Sequence, residues 1–128
     1  MNIIASAVSL TVENVSASSA FLQAHFGFRE GMAAEGFASL SRDDCGLSVI
    51  FLERGLEQLP EGFRDQHASG VILAFTVSDL AGEETRLHAE GVEITLPLRE
   101  EPWGERLFQV TDPNGVLIEL VEWATPNE

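Results

Sequence analysis

The sequence contains no lysine and no tyrosine, a single cysteine, and seven basic residues, all arginine, against 21 acidic ones. Each shortage excludes something. Without lysine there is no Schiff-base nucleophile and no phosphate-gripping P-loop. The lone Cys45 rules out an internal disulfide and fits a reducing, cytoplasmic setting. A net charge of −14 opposes both nucleic-acid phosphates and an anionic membrane surface. No apolar run approaches the ~20 residues of a transmembrane helix. The opening stretch MNIIASAVSLTVEN has no basic segment and interleaves apolar with polar residues, so it reads as a strand and not as a signal peptide. There is no G-x-S-x-G and no serine–histidine–acid pattern. The three histidines have no metal-ligand spacing: His25 and His88 fall late in two helical stretches, where their partial charge suits the helix dipole, and His67 lies in a connector. Cys45 has no histidine near it in sequence, which argues against a catalytic thiol.

What is present is a hydrophobic content of 45% over 128 residues, enough for one domain without staples. The chain repeats itself. Ser9–Val15 is echoed by Ala74–Leu80, an offset of 65, and Asp43-Asp44-Cys45-Gly46 by Asp112-Pro113-Asn114-Gly115, an offset of 69. A repeat near half the chain length means two similar modules. Module one covers about residues 1–53, a connector rich in Gly, Pro and charge covers 54–69, and module two covers about 70–123. Each reads strand–helix–strand–strand–strand. In the first, residues 3–13 alternate as a strand, and Asn14 is placed to cap a helix closed by Gly27. Strands at 28–32, 36–41 and 47–53 follow. In the second, a strand at 71–78 leads to a helix capped by Asp79 and closed by Gly91. Strands at 92–96, 105–111 and 116–123 complete it. Asp112-Pro113-Asn114-Gly115 joins the last two as a hairpin turn, with Pro113 presetting φ.

The doubled βαβββ pattern, the openings SLTVEN and AFTVSDL, and the run F-x-V-x-DPNG-x-x-IEL resemble the vicinal oxygen chelate superfamily, the glyoxalase / bleomycin-resistance / dioxygenase fold. The resemblance covers about residues 3–123. It implies an α+β fold in which two βαβββ modules form a curled mixed sheet around a cavity. In metal-dependent members four strands supply His, Gln or Glu ligands to a divalent ion. Carried over residue by residue, those positions are Ala7, Phe51 (or Ile50, since the repeat slips by one there), Ile72 and Glu119. Three of the four cannot coordinate a metal, so the resemblance implies a metal-free member without cofactor. Pro102-Trp103-Gly104, then Phe108, then Asp112-Pro113-Asn114-Gly115 is similar to the corresponding segment of bleomycin-type resistance proteins. That likeness implies a homodimer whose clefts hold a small drug between aromatic side chains, unchanged. A dimer of this chain would carry −28, twice −14, a field that attracts cations.

The expected ligand-binding residues are therefore Trp103, Glu119, Trp123, Phe51, Phe108 and Phe37. By alternation Glu119 shares a strand face with Leu117, Val121 and Trp123 and offers a carboxylate to a cationic group. Trp103, in a Pro-Trp-Gly turn, is hard to bury within its own module. Phe51 would fill a vacated ligand position, Phe37 would rim the pocket, and Phe108 reads equally as sheet core. The expected function is sequestration of an aromatic cation, with no nucleic-acid or membrane partner. The competing expectation is an isomerase-, lyase- or glyoxalase-like enzyme using Glu119 as general base, with His67 or a second carboxylate as its partner, or as a residual metal ligand.

Overall fold

The computed structural model describes residues 1–124. The chain divides into two compact units, Met1–Ser69 and Gly70–Glu128. The first unit contains β1 (Ser6–Val12), α1 (Val15–Phe26), β2 (Arg29–Ala34), β3 (Phe37–Ser41) and β4 (Leu47–Glu53). The second contains β5 (Ile72–Thr76), α2 (Leu80–Ala89), β6 (Ile94–Glu100), β7 (Glu105–Thr111) and β8 (Leu117–Trp123). Each unit has its own four-stranded mixed sheet, in the order β1-β4-β3-β2 and β5-β8-β7-β6. In both, the first strand runs parallel to the last, and the other pairings are antiparallel. This is the expected α+β fold of two βαβββ modules.

The helices start where their caps place them. Asn14 accepts the Ala17 N–H at 3.1 Å, and Asp79 accepts the Gly82 N–H at 3.1 Å. The first N–H of α2, on Leu80, is taken by Glu122 of β8 at 3.1 Å, which ties the helix to its sheet. Helix α1 ends at Gly27 with φ 69°, the left-handed region that a side chain disfavours. A Cβ there would also lie 2.9 Å from Nη1 of Arg42, whose guanidinium bonds the Phe26 carbonyl and Asp44. Gly27→Ala is therefore expected to lower stability by about 1–2 kcal/mol, read as a fall in the denaturation midpoint.

Arginines also organise the β3–β4 turn. Hydrogen bonding to Arg42 holds the Asp44 carboxyl below its usual range, and Arg29 does the same to Asp43. The stability such pairs lend is present above the ordinary carboxylate range and is lost as pH falls through the lowered one. Both pairs are exposed, so the contribution is small.

Strand alternation sorts each sheet into a helix-covered face and a face that its helix leaves open, although Leu52 in the first unit and Leu107, Glu119 and Val121 in the second are buried on that face. In the first unit Leu10, Val12, Ala38, Leu40, Val49 and Phe51 are buried on one face, with α1 packed over β3 and β4. The open face carries Ala7, Ser9, Phe37, Ser39, Ile50 and Leu52, fixed by the pairs Ser9↔Ile50, Ser39↔Ile50 and Phe37↔Leu52. In the second unit Leu73, Phe108, Val110, Ile118 and Leu120 form the buried face, and α2 supplies Leu80 and Leu87.

Several boundaries differ from expectation for identifiable reasons. Strand β1 begins at Ser6 because β4 begins at its partner Leu47, leaving Ile3 and Ile4 exposed without a paired strand in the unit. Strand β6 runs on to Glu100 through Pro97, with irregular register on both sides; proline is tolerated because β6 is an edge strand. The connector folds back on the first unit: Arg54 N–H donates to Val12 O at 2.9 Å and Ala68 N–H to Thr11 O at 2.8 Å.

The β7–β8 turn is built on Asp112, which is buried. Its Oδ1 accepts the N–H groups of Asn114 (2.8 Å) and Val116 (2.9 Å), while Gly115 N–H bonds the Asp112 carbonyl at 2.9 Å. Only Gly115 takes the left-handed conformation, at φ 87°; Asn114 does not. Asp112→Ala strands both N–H groups and is expected to cost about 2–3 kcal/mol, with Asp112→Asn recovering part of it, measured by thermal unfolding.

Candidate functional site

The site is built on the open face of the second sheet. β8 supplies Leu117, Glu119, Val121 and Trp123 to that face; β7 supplies Glu105, Leu107, Gln109 and Thr111; β5 supplies Ile72 and Ala74. The hairpin sets these contacts. Each β7 residue pairs with the β8 residue equidistant from Asn114, so Gln109 lies directly across from Glu119 and Glu105 across from Trp123.

Glu119 is only 9% exposed. Its Oε1 accepts a hydrogen bond from Gln109 Nε2 at 2.9 Å. Ala74, Leu117, Leu107 and Val121 surround the pair in register. Beyond Gln109 the face stays polar: Thr95 Oγ1 donates to the Gln109 carbonyl at 3.2 Å and lies 3.2 Å from Thr111 Oγ1. A carboxylate taken this far from water is costly unless its acceptors are used. A single neutral donor leaves that cost only partly offset.

The tryptophans lie where β7 begins and β8 ends, Trp123 on the same face as Glu119 and Trp103 in the turn before β7. Glu101-Pro102-Trp103-Gly104 makes a tight turn closed by Gly104 N–H to Glu101 O at 2.9 Å. Trp103 is 65% exposed, and its indole Nε1 donates to Glu105 Oε1 at 2.9 Å. Trp123, 38% exposed, sits opposite Glu105. Two partly exposed aromatics thus flank one carboxylate, Glu105, and present indole surface on which a planar group can stack. Glu119 and Trp123 are four residues apart on one strand, about 13 Å at the usual rise. They do not touch; a ligand contacting both must span that distance.

Phe51 and Phe108 leave the candidate set. Phe51 pairs with Leu10 and Ala38 on the helix-covered face and is buried. The residue that takes the open-face position in β4 is Ile50, which pairs with Ser9 as Glu119 pairs with Ala74. Phe108 pairs with Leu120 beneath α2, fully enclosed and on the opposite face from its neighbour Gln109. Both are core. Phe37 lies half-buried on the open face of the first sheet with Ser39 and Ile50. Ala7 and Ile72 are exposed on β1 and β5. His67 is engaged by Glu13, with Nε2 and Oε1 3.3 Å apart, and Glu13 is shared with Arg54 at 3.1 Å. Gln109, Thr95 and Thr111 are the residues that sequence reasoning missed. The hairpin register around Asn114 was the available signal for Gln109.

The donor set does not suit a divalent ion. Ala7, Ile50 and Ile72 have no ligating atom, and Glu119 faces a carboxamide. Among the described residues no group of three or more His, Cys, Asp or Glu side chains is arranged to hold a metal. No helix among them is long and apolar enough to cross a membrane.

Two βαβββ units, each with one helix-covered and one open sheet face, define a protein of the glyoxalase-like class. The chain belongs to the Glyoxalase/Bleomycin resistance protein/Dioxygenase superfamily, whose family model matches residues 4–120. Among solved structures it is similar to a glyoxalase/bleomycin resistance protein/dioxygenase from Nocardioides, with 21% identity, TM-score 0.81, and coverage of 100% of this chain and 88% of that one. It is also similar to TioX from Micromonospora sp. ML1, with 27% identity, TM-score 0.70, and coverage of 93% and 98%. A third likeness is lactoylglutathione lyase from Agrobacterium tumefaciens, with 16% identity, TM-score 0.76, and coverage of 99% and 98%. No curated protein matches the sequence.

Proposed function

We propose that this protein is a metal-independent binder that sequesters a small aromatic cation without changing it, and that it works as a homodimer in the cytoplasm. The observation that carries the reading is the open face of the second sheet. A nearly buried carboxylate, Glu119, lies at one point; exposed Trp123 lies about 13 Å further along β8, and exposed Trp103 hydrogen-bonds Glu105, the residue paired with Trp123. A planar ring system stacks on an indole while a cationic group reaches Glu119. The net charge of −14 supports the same ligand class by raising the local concentration of cations. The reading of binding without turnover draws support from the one side-chain partner of Glu119, the Gln109 amide, which is not an acid or base that could pair with it in proton transfer.

The test is tryptophan fluorescence of the purified protein against a panel of bleomycin-type and other basic aromatic antibiotics, at low and high salt. Trp103 and Trp123 are the only tryptophans, so the signal reports the proposed face. Saturable quenching that weakens with salt is the expected result. A flat response across the panel would sink the proposal.

A further inference from the structure

Resting on the binding role above, the turn around Trp103 bears on the charge of the ring that stacks there. Its backbone is held by three main-chain bonds. Gly104 N–H donates to Glu101 O at 2.9 Å, Glu101 N–H to Glu105 O at 2.8 Å, and Ala124 N–H to Gly104 O at 2.8 Å. The last bond marks Gly104 and Ala124 as a hydrogen-bonded pair, and such pairs alternate along an antiparallel ladder. Glu105 and Trp123 therefore form a non-hydrogen-bonded pair, whose side chains approach most closely. Glu105 thus stands beside both tryptophans: Trp123 across the strands, and Trp103 through the 2.9 Å bond from its Nε1.

An indole N–H lies in the plane of its ring, so the carboxylate that accepts it stands at the ring edge. That bond uses the only polar atom of the Trp103 side chain. A ligand is left with the ring face, which is electron-rich, and a carboxylate at its rim. Both favour positive charge in a stacked ring. The nearby arginines are engaged by other carboxylates. Arg99 pairs with Glu101 at 2.8 Å, and Arg106, on the opposite strand face, with Glu122 at 3.5 Å. Among the described residues Glu105 has no cationic partner. Glu119 lies about 13 Å along β8 from Trp123, beyond the reach of a small ring held at this end.

We propose that Glu105 is the specificity-determining residue of a second subsite, formed with Trp103 and Trp123, that takes a planar ring bearing its own positive charge in preference to a neutral one. Isothermal titration calorimetry at neutral pH with N-methylquinolinium and quinoline tests it, since the two share one ring system and only the first is charged. The wild-type protein is expected to bind the cation about tenfold more tightly. Glu105→Gln keeps an acceptor for Trp103 and removes the charge, so it is expected to cut that preference about two- to fivefold while quinoline affinity holds. Glu105→Ala also releases the indole and is expected to weaken quinoline as well. Glu119→Gln is expected to leave the ratio unchanged. A merely structural role for Glu105 would weaken both probes alike in Glu105→Gln, and that result, or an unaltered ratio, overturns the proposal. A ratio that falls in Glu119→Gln instead removes this inference and leaves the cation-binding role standing. Equal binding of the two probes by the wild type, or no binding of either, removes both.

Discussion

Phe51→Ala is expected to lower the stability of the protein by about 3–5 kcal/mol without touching the binding face. Phe51 is 1% exposed and is sandwiched in register between Leu10 of β1 and Ala38 of β3, under α1. Truncation removes most of its buried area and leaves a cavity that this packed layer cannot collapse into. The expected readout is a large fall in denaturation midpoint with an unchanged slope, and unchanged ligand affinity in whatever fraction stays folded. Ile50→Ala separates the two faces: Ile50 is half-buried on the open side, so its loss should cost less stability. A Phe51→Ala protein of wild-type stability would mean that the side chain lies on the open face after all.

Glu119→Gln is expected to behave in the opposite way, losing function while keeping or gaining stability. The substitution removes a negative charge that is 9% exposed and supported by a single neutral donor. Removing such a charge relieves a desolvation cost and is expected to leave the melting temperature unchanged or raised. The ligand loses a charge-assisted hydrogen bond, about 1.5–3 kcal/mol, or roughly 10- to 100-fold in affinity. Glu119→Ala should lose the same affinity but also strand the Gln109 amide, so it is expected to lower stability. Titration of both variants against the tightest ligand of the panel, alongside thermal unfolding, checks the pair of effects. Loss of stability in Glu119→Gln together with unaltered affinity would place the carboxylate in a structural role.

The fold was legible because the repeat and the local signals agreed. Asn14, Gly27 and Asp79 act as the caps that their types suggest, and the turn at Asp112–Gly115 sits where Pro113 and Gly115 put it. Strand faces were harder where both sides are apolar. In β4 the run Val49-Ile50-Phe51-Leu52 has no polar residue to mark the outward side, so alternation is invisible in the sequence. The 69-residue offset between the turns pointed from Glu119 to Ile50, and the register follows that offset. Phe108 shows the reverse situation. Its neighbours Gln109 and Thr111 are polar, and the alternation placing Phe108 on the covered side was readable beside them. Gln109 and the Thr95–Thr111 contact depend on cross-strand pairing, which a single strand's pattern does not display.

Binding without metal and without chemistry is the centre of the account. It is tested most directly by treating the protein with a chelator, dialysing it, saturating it with a ligand from the panel, and recovering that ligand for mass spectrometry. The account predicts the same affinity before and after chelation and a recovered ligand of unchanged mass. Loss of binding after chelation, restored by a divalent ion, or recovery of the ligand at a new mass, would contradict it.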